Sequence, residues 1–221
     1  DRHPSVGNTY NNMAIVYKEQ GEYEKALAYY NKALEIKLDV YGDQHPSVGG
    51  TYGNMANVYI EQGDYEKTLE LYNKALEIKL DVYGDQHPSV GNTYNNMASV
   101  YNLQGENEKA LELYNKALEI RLAVLGDGHP SLGVTYGNMA NVYQKQGEYE
   151  KALELYNKAL EIELDVHGDR HRDVGSTYNN MAGVYQEQGK YDEALKLYNK
   201  ALEIELAVFG DWHPDVRCTY N

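Results

Sequence analysis

"NTYNNMASVYNLQG" runs from Asn92 to Gly105. Tyr94, Met97, Ala98 and Tyr101 are spaced as neighbours on one face of a helix, and Gly105 ends the run. Asn96, an amide, stands directly before the Met-Ala pair. Reading outward, Asn12, Asn54, Asn138 and Asn180 stand in the same relation, each 42 residues from the next member of the series. A polar side chain placed five times at one interval needs a structural or a functional reason.

Internal repetition organises the whole chain. A His-Pro-Ser/Asp-Val/Leu motif begins at His3, His45, His87, His129 and His213, and returns at His171 as His-Arg-Asp-Val. Two glycine series share the interval: Gly21, Gly63, Gly105, Gly147 and Gly189, and, offset by half a period, Gly42, Gly84, Gly126, Gly168 and Gly210. The units are therefore 1–42, 43–84, 85–126, 127–168 and 169–210, with 211–221 the opening of a sixth. Units one and three differ at only ten positions, so the units are closely related.

Each unit reads as two helices. Pro46 suits the first turn of helix A, where its missing N–H leaves no bond unmade, and Gly63 tolerates the left-handed backbone past the helix end. Helix B runs from about Asp64 to Tyr83 and stops at Gly84. In the first unit Val6, Tyr10, Met13, Ala14 and Tyr17 form the apolar stripe of helix A. Tyr23, Ala26, Leu27, Tyr30, Leu34 and Leu38 form that of helix B. Neither helix buries its stripe alone, whereas stacked units do, so the array is expected to be a solenoid held by neighbour contacts. The aromatic composition, 23 Tyr against one Phe and one Trp, suits half-buried sites where a ring keeps a polar tip.

The run Tyr10-x2-Met13-Ala14-x2-Tyr17, followed by Tyr23, Ala26 and Tyr30, resembles the tetratricopeptide signature. The longer unit, with "NNMA" in helix A, "KALEI" in helix B and "GDQHPSV" between units, is similar to the kinesin light chain type. The family's proline near the end of helix B is absent, Leu38 standing in its place. The resemblance implies an all-α, right-handed superhelical solenoid of antiparallel helix pairs. It also implies that the A helices line a concave inner surface and that the protein is a non-enzymatic interaction scaffold.

With Tyr10 at zero on a helical wheel of ~100° per residue, Asn12 comes out at roughly 200°, away from the stripe. Asn12, Asn54, Asn96, Asn138 and Asn180 would then form a column along the groove the resemblance implies. An amide offers both a donor and an acceptor, so it can pair with a peptide backbone whatever the peptide's sequence. The alternative is that these amides tie one helix to the next, or merely keep the inner surface wet. Around the column, the equivalents of Asn8, Ile15 and Lys18 change in size and polarity from unit to unit, and they include Asn57, Asn102 and Asn141. The candidate groove residues are thus Asn8, Asn12, Asn54, Asn57, Asn96, Asn102, Asn138, Asn141, Lys145 and Asn180. Helix B changes read as charge swaps, as in Lys37, Lys79, Arg121, Glu163 and Glu205, and Asn31 and its equivalents read as solvated.

Other chemistry is declined. One histidine per layer, with layers on the order of 10 Å apart, cannot share a metal whose bonds are about 2.0–2.1 Å. No metal and no cofactor are therefore expected; His45 and its equivalents read as turn residues and His167 as packing. Acidic pairs such as Glu22 and Glu24 recur in every unit near helix B starts, where the helix dipole favours them, so they are not acid/base dyads. A clamp for acidic peptides would need groove cations, for which only Lys18 and Lys145 are candidates. The net charge of −14 opposes nucleic acid and anionic membranes, and no apolar run approaches the ~20 residues of a membrane span. The single cysteine, Cys218, permits no internal disulfide, and a cytoplasmic setting is expected. The expected partner is a protein or peptide. The half-unit at 211–221 suggests either a piece of a longer array or head-to-tail self-association as a structural spacer.

Overall fold

The computed structural model describes residues 3–209. Ten helices follow one another: α1 Pro4–Glu19, α2 Tyr23–Tyr41, α3 Pro46–Glu61, α4 Tyr65–Tyr83, α5 Pro88–Leu103, α6 Asn107–Leu125, α7 Pro130–Lys145, α8 Tyr149–His167, α9 Arg172–Glu187 and α10 Tyr191–Phe209. No strand occurs among the described residues. Helix pairs α1–α2, α3–α4, α7–α8 and α9–α10 pack intimately, and α2–α3, α4–α5 and α8–α9 join neighbouring pairs. Two compact units result, Asp1–Ile120 and Arg121–Asn221, divided within α6. The expected sixth-unit opening at 211–221, with Cys218, lies outside the described residues.

Local chemistry sets the helix ends. The periodic histidine is an N-cap: His45 Nδ1 accepts from the backbone N–H of Ser47 at 3.2 Å, and Pro46 follows as the first helical residue. This supplies a partner for an N–H that the helix itself leaves unpaired. The same bond recurs at His3, His87, His129 and His171. Gly63, at φ +74°, takes the left-handed conformation past α3, as the spacing predicts.

The core of the first unit gathers Ala14, Ala26, Tyr30, Ala56, Val58, Tyr72, Met97 and Val100, and that of the second Ala140, Ala152, Tyr156, Val174, Met181 and Val184. Small residues bring the paired helices close. At Gly49 an added Cβ would lie 3.4 Å from Ile78 Cγ2 and 3.6 Å from the Ala75 carbonyl. Helix A also buries a second face that its apolar stripe omits. Val58, Val100 and Val184 are 0% exposed, whereas Val16, in the first helix pair, is 52% exposed. Full burial of such a side chain contributes roughly 1.5–3 kcal/mol, so stacking of neighbouring pairs is a main source of stability.

Lys37, Lys79 and Arg121, which read as charge swaps, are structural links between helices, and Lys37 and Arg121 are only 5% exposed. Each spans from a B helix to the following A helix. Lys37 Nζ donates to Thr51 Oγ1 at 2.9 Å, Lys79 Nζ to Thr93 Oγ1 at 2.7 Å, and Arg121 to Thr135 Oγ1 and, at 2.9 Å, to the Ser131 carbonyl. Burial lowers the pKa of all three cations. A change of charge along the sequence does not reveal this role, because a long stem can reach across an interface and still satisfy its head group. The helix B amides Asn31, Asn73, Asn115, Asn157 and Asn199 are exposed, as expected.

Candidate functional site

In each compact unit the candidate site is the A-helix face that carries the periodic amides. Asn12, Asn96 and Asn180 are exposed, and Asn54 and Asn138 half-buried, so none faces the core. Asn8 is exposed, Asn57, Asn102 and Asn141 are half-buried, and Lys145 is exposed in the last turn of α7. Not all the column amides point only to solvent, however. Asn54 Nδ2 donates to Asn11 Oδ1 of the preceding A helix at 3.2 Å. Asn96 bonds the Tyr72 hydroxyl of the preceding helix pair.

A tyrosine on each of four B helices pairs its hydroxyl with a side chain of the A helix in its own pair. Tyr72 donates to Asn57 Oδ1 at 2.5 Å, Tyr156 to Asn141 Oδ1 at 2.6 Å, and Tyr198 to Gln186 Oε1 at 2.9 Å; Tyr114 pairs with Ser99 Oγ at 2.9 Å. Burial pushes the Tyr72 phenol up to about 12, against the opposing pull of the Asn96 amide, which favours the phenolate as a donor would. Tyr114 and Tyr156 are raised by the same cause. These hydroxyls therefore stay protonated donors near neutral pH, and Asn57, Ser99 and Asn141 give each a partner. The signal was available: Tyr30, Tyr72, Tyr114, Tyr156 and Tyr198 never vary, whereas the preceding position changes from Tyr29 to Leu71.

In the second unit Asn138, Asn141 and Asn180, from two successive A helices, line one open cavity of about 320 Å³ with Val134 at its edge. Glu163, His167 and Asp173 line its other side. Glu163 occupies the position of Lys37, yet it meets the same kind of partner, Thr177. Desolvation raises its carboxyl to about 7; the Thr177 hydroxyl opposes that rise and the charge of Asp173 adds to it. Its Oε2 is buried without a hydrogen-bond partner. His167 stacks on His171 with ring centroids 4.1 Å apart, where Tyr41 stacks on His45 and Tyr83 on His87. One histidine per layer therefore does not hold at this junction.

Helix pairs that repeat every 42 residues and pack on their neighbours define a helical-repeat protein. The chain belongs to the tetratricopeptide repeat family, whose model matches residues 5–79, 47–123, 90–165, 131–207 and 173–221. Proteins of this family are generally protein-interaction scaffolds. Among solved structures the fold is similar to BtubC (BKLC) from P. vanneervenii, with a TM-score of 0.82 and 24% identity over 96% of this chain and 84% of that one. It is also similar to the Podosopora anserina kinesin light chain-type protein with nearly identical TPR-like repeats, with a TM-score of 0.77 and 23% identity over 94% and 98%. MamA shares the fold at a TM-score of 0.60 and 20% identity, over 94% of this chain and 97% of that one. No curated protein sequence matches the chain. No helix among the described residues is long and apolar enough to cross a membrane.

Proposed function

We propose that the chain holds an extended, mostly polar peptide against its A-helix face, with the asparagine column reading the ligand backbone. The observation that carries this reading is the cavity in which Asn138, Asn141 and Asn180 meet beside Val134. An amide has two N–H donors and two acceptor lone pairs, so a bond to a neighbouring helix does not exhaust it. Asn54, tied to Asn11, keeps capacity for a ligand. Successive A helices lie on the order of 10 Å apart, a distance an extended peptide covers in about three residues. Residues that differ from repeat to repeat, such as Ile15, Asn57, Asn102, Val134 and Lys145, would choose among ligands.

The test is selection from a random displayed-peptide library on the chain and on a variant with Asn12, Asn96 and Asn180 changed to Ala, its folding checked by thermal melt. Enrichment on the first and loss on the folded variant is the expected result. Equal enrichment on both would reduce the column to a structural role. No enrichment, with a mass that rises with concentration, would favour a self-associating spacer instead.

A further inference from the structure

We propose that His167, His171 and Asp173 form a binding site for a divalent transition-metal ion of the zinc class, at the junction of α8 and α9. The three residues each present a ligand atom within 4.8 Å of the others. His167 Nε2 lies 3.9 Å and His171 Nδ1 3.5 Å from Asp173 Oδ2. Two ligands on a tetrahedral zinc ion with bonds of about 2.0–2.1 Å lie about 3.4 Å apart. Closure by at most about 1.4 Å, within reach of side-chain rotation, brings the set to bonding distance.

Two imidazoles and a carboxylate suit zinc and its neighbours, whereas magnesium and calcium prefer oxygen alone. His171 Nδ1 already accepts the Asp173 backbone N–H at 3.2 Å, so this nitrogen carries the lone pair that ligation requires. An ion there would take over that lone pair and exchange the helix cap for a metal bond. His167 and Asp173 are exposed and His171 is half-buried, which gives the ion a path in and leaves a coordination position open to solvent.

The site is peculiar to this junction. The equivalent trios in the sequence are Tyr41, His45 and Ser47; Tyr83, His87 and Ser89; Leu125, His129 and Ser131; and Phe209, His213 and Asp215. The first three lack two of the three ligands and the last lacks the first histidine. Only at 167–173 do the additional histidine, His167, and the aspartate occur together, and there they meet in space. Glu163, one turn before His167 on α8, lines the same cavity but is not one of the three groups whose ligand atoms lie within 4.8 Å of one another.

The equivalent trios supply the control. Zinc titration of the chelator-treated chain, read by calorimetry and by native mass, is expected to give one tightly bound ion, with a rise in Tm that magnesium does not produce. His167→Tyr and Asp173→Ser install residues that other junctions carry, so both variants should fold. Each is expected to weaken zinc binding at least about tenfold, the scale seen when metal sites lose even supporting groups. Zinc retained at undiminished affinity by the double variant would assign it to the capping histidines and overturn the proposal, as would no binding to the original chain. Neither variant replaces an asparagine of the column, but both residues line the cavity of Asn138, Asn141 and Asn180, so the zinc titrations are run without peptide and read apart from peptide selection.

Discussion

The Tyr72 hydroxyl donates to Asn57 Oδ1 within its own helix pair and receives the Asn96 amide from the next one. One phenol thus links a B helix to two A helices. It also explains why asparagine follows asparagine along this face: a buried hydroxyl needs an acceptor, and the next amide can supply a donor. The polar column is, in its inner layer, part of how neighbouring pairs are joined.

Tyr72→Phe should therefore destabilise the protein by about 1–2 kcal/mol, since it strands the half-buried Asn57 acceptor and removes the bond to Asn96. Tyr30→Phe is the internal control. Its repeat carries Ile15 where Asn57 stands, and isoleucine offers no acceptor, so the change should fall within about 0.5 kcal/mol. Urea denaturation of both variants under one condition checks the difference. Equal losses would show that ring packing rather than the hydroxyl bond sets the value.

Glu163 predicts a pH dependence. Its folded-state carboxyl titrates at about 7, above the ordinary 4.5, because burial disfavours the charge. The folded state then binds the proton more tightly than the unfolded chain. Its stabilising contribution is present in full below pH 4.5, is lost as the pH rises, and is gone above pH 7. Glu163→Gln removes that titration, so thermal melts in chelator between pH 5 and pH 8 should give Glu163→Gln a gain that grows with pH. A constant difference across the range would locate the effect elsewhere.

Open glycines give a further handle on stability. Gly50 and Gly53 lie inside α3, and an added Cβ at either would meet nothing within 4 Å. Alanine there should stabilise by roughly 0.5–1 kcal/mol through the lower backbone entropy of the unfolded chain. Gly63→Ala should do the reverse, since φ is +74° there. Parallel melts of the three variants test the contrast.

Much of this was legible in the sequence because its signals are local. Pro46, Gly63 and Gly84 mark helix ends through backbone chemistry that needs no neighbour, and the ten helices follow. The apolar stripe of helix A was legible by period. Its second buried face was not, because Thr51 and Val58 are covered only by the adjacent pair, and a helical wheel drawn for one helix has no term for a neighbour. Invariance carried the missing signal: Val16, Val58, Val100, Val142 and Val184 never change, nor do Thr9, Thr51, Thr93, Thr135 and Thr177. The role of Lys37 was hidden for the same reason, as its ammonium reaches a partner 14 residues away in the next helix pair. That the amides lie away from the apolar stripe was legible by period, but their bonds to Tyr72 and Asn11 depend on which side chain arrives from the preceding pair.

The two roles of the amides can be separated by position. Asn96 is bonded to Tyr72, so Asn96→Ala should lower stability by about 1 kcal/mol in addition to any loss of ligand. Asn12 is exposed in the first helix pair, so Asn12→Ala should stay within about 0.5 kcal/mol of the parent chain. If the column reads a peptide backbone, Asn12→Ala nevertheless weakens a selected peptide that spans the first pairs. Denaturation and peptide titration on the same two variants decide the matter. Loss of affinity without loss of stability at Asn12 would mark a contact made only to ligand. Unchanged affinity at Asn12, beside lost stability at Asn96, would leave the column as a joint between helices.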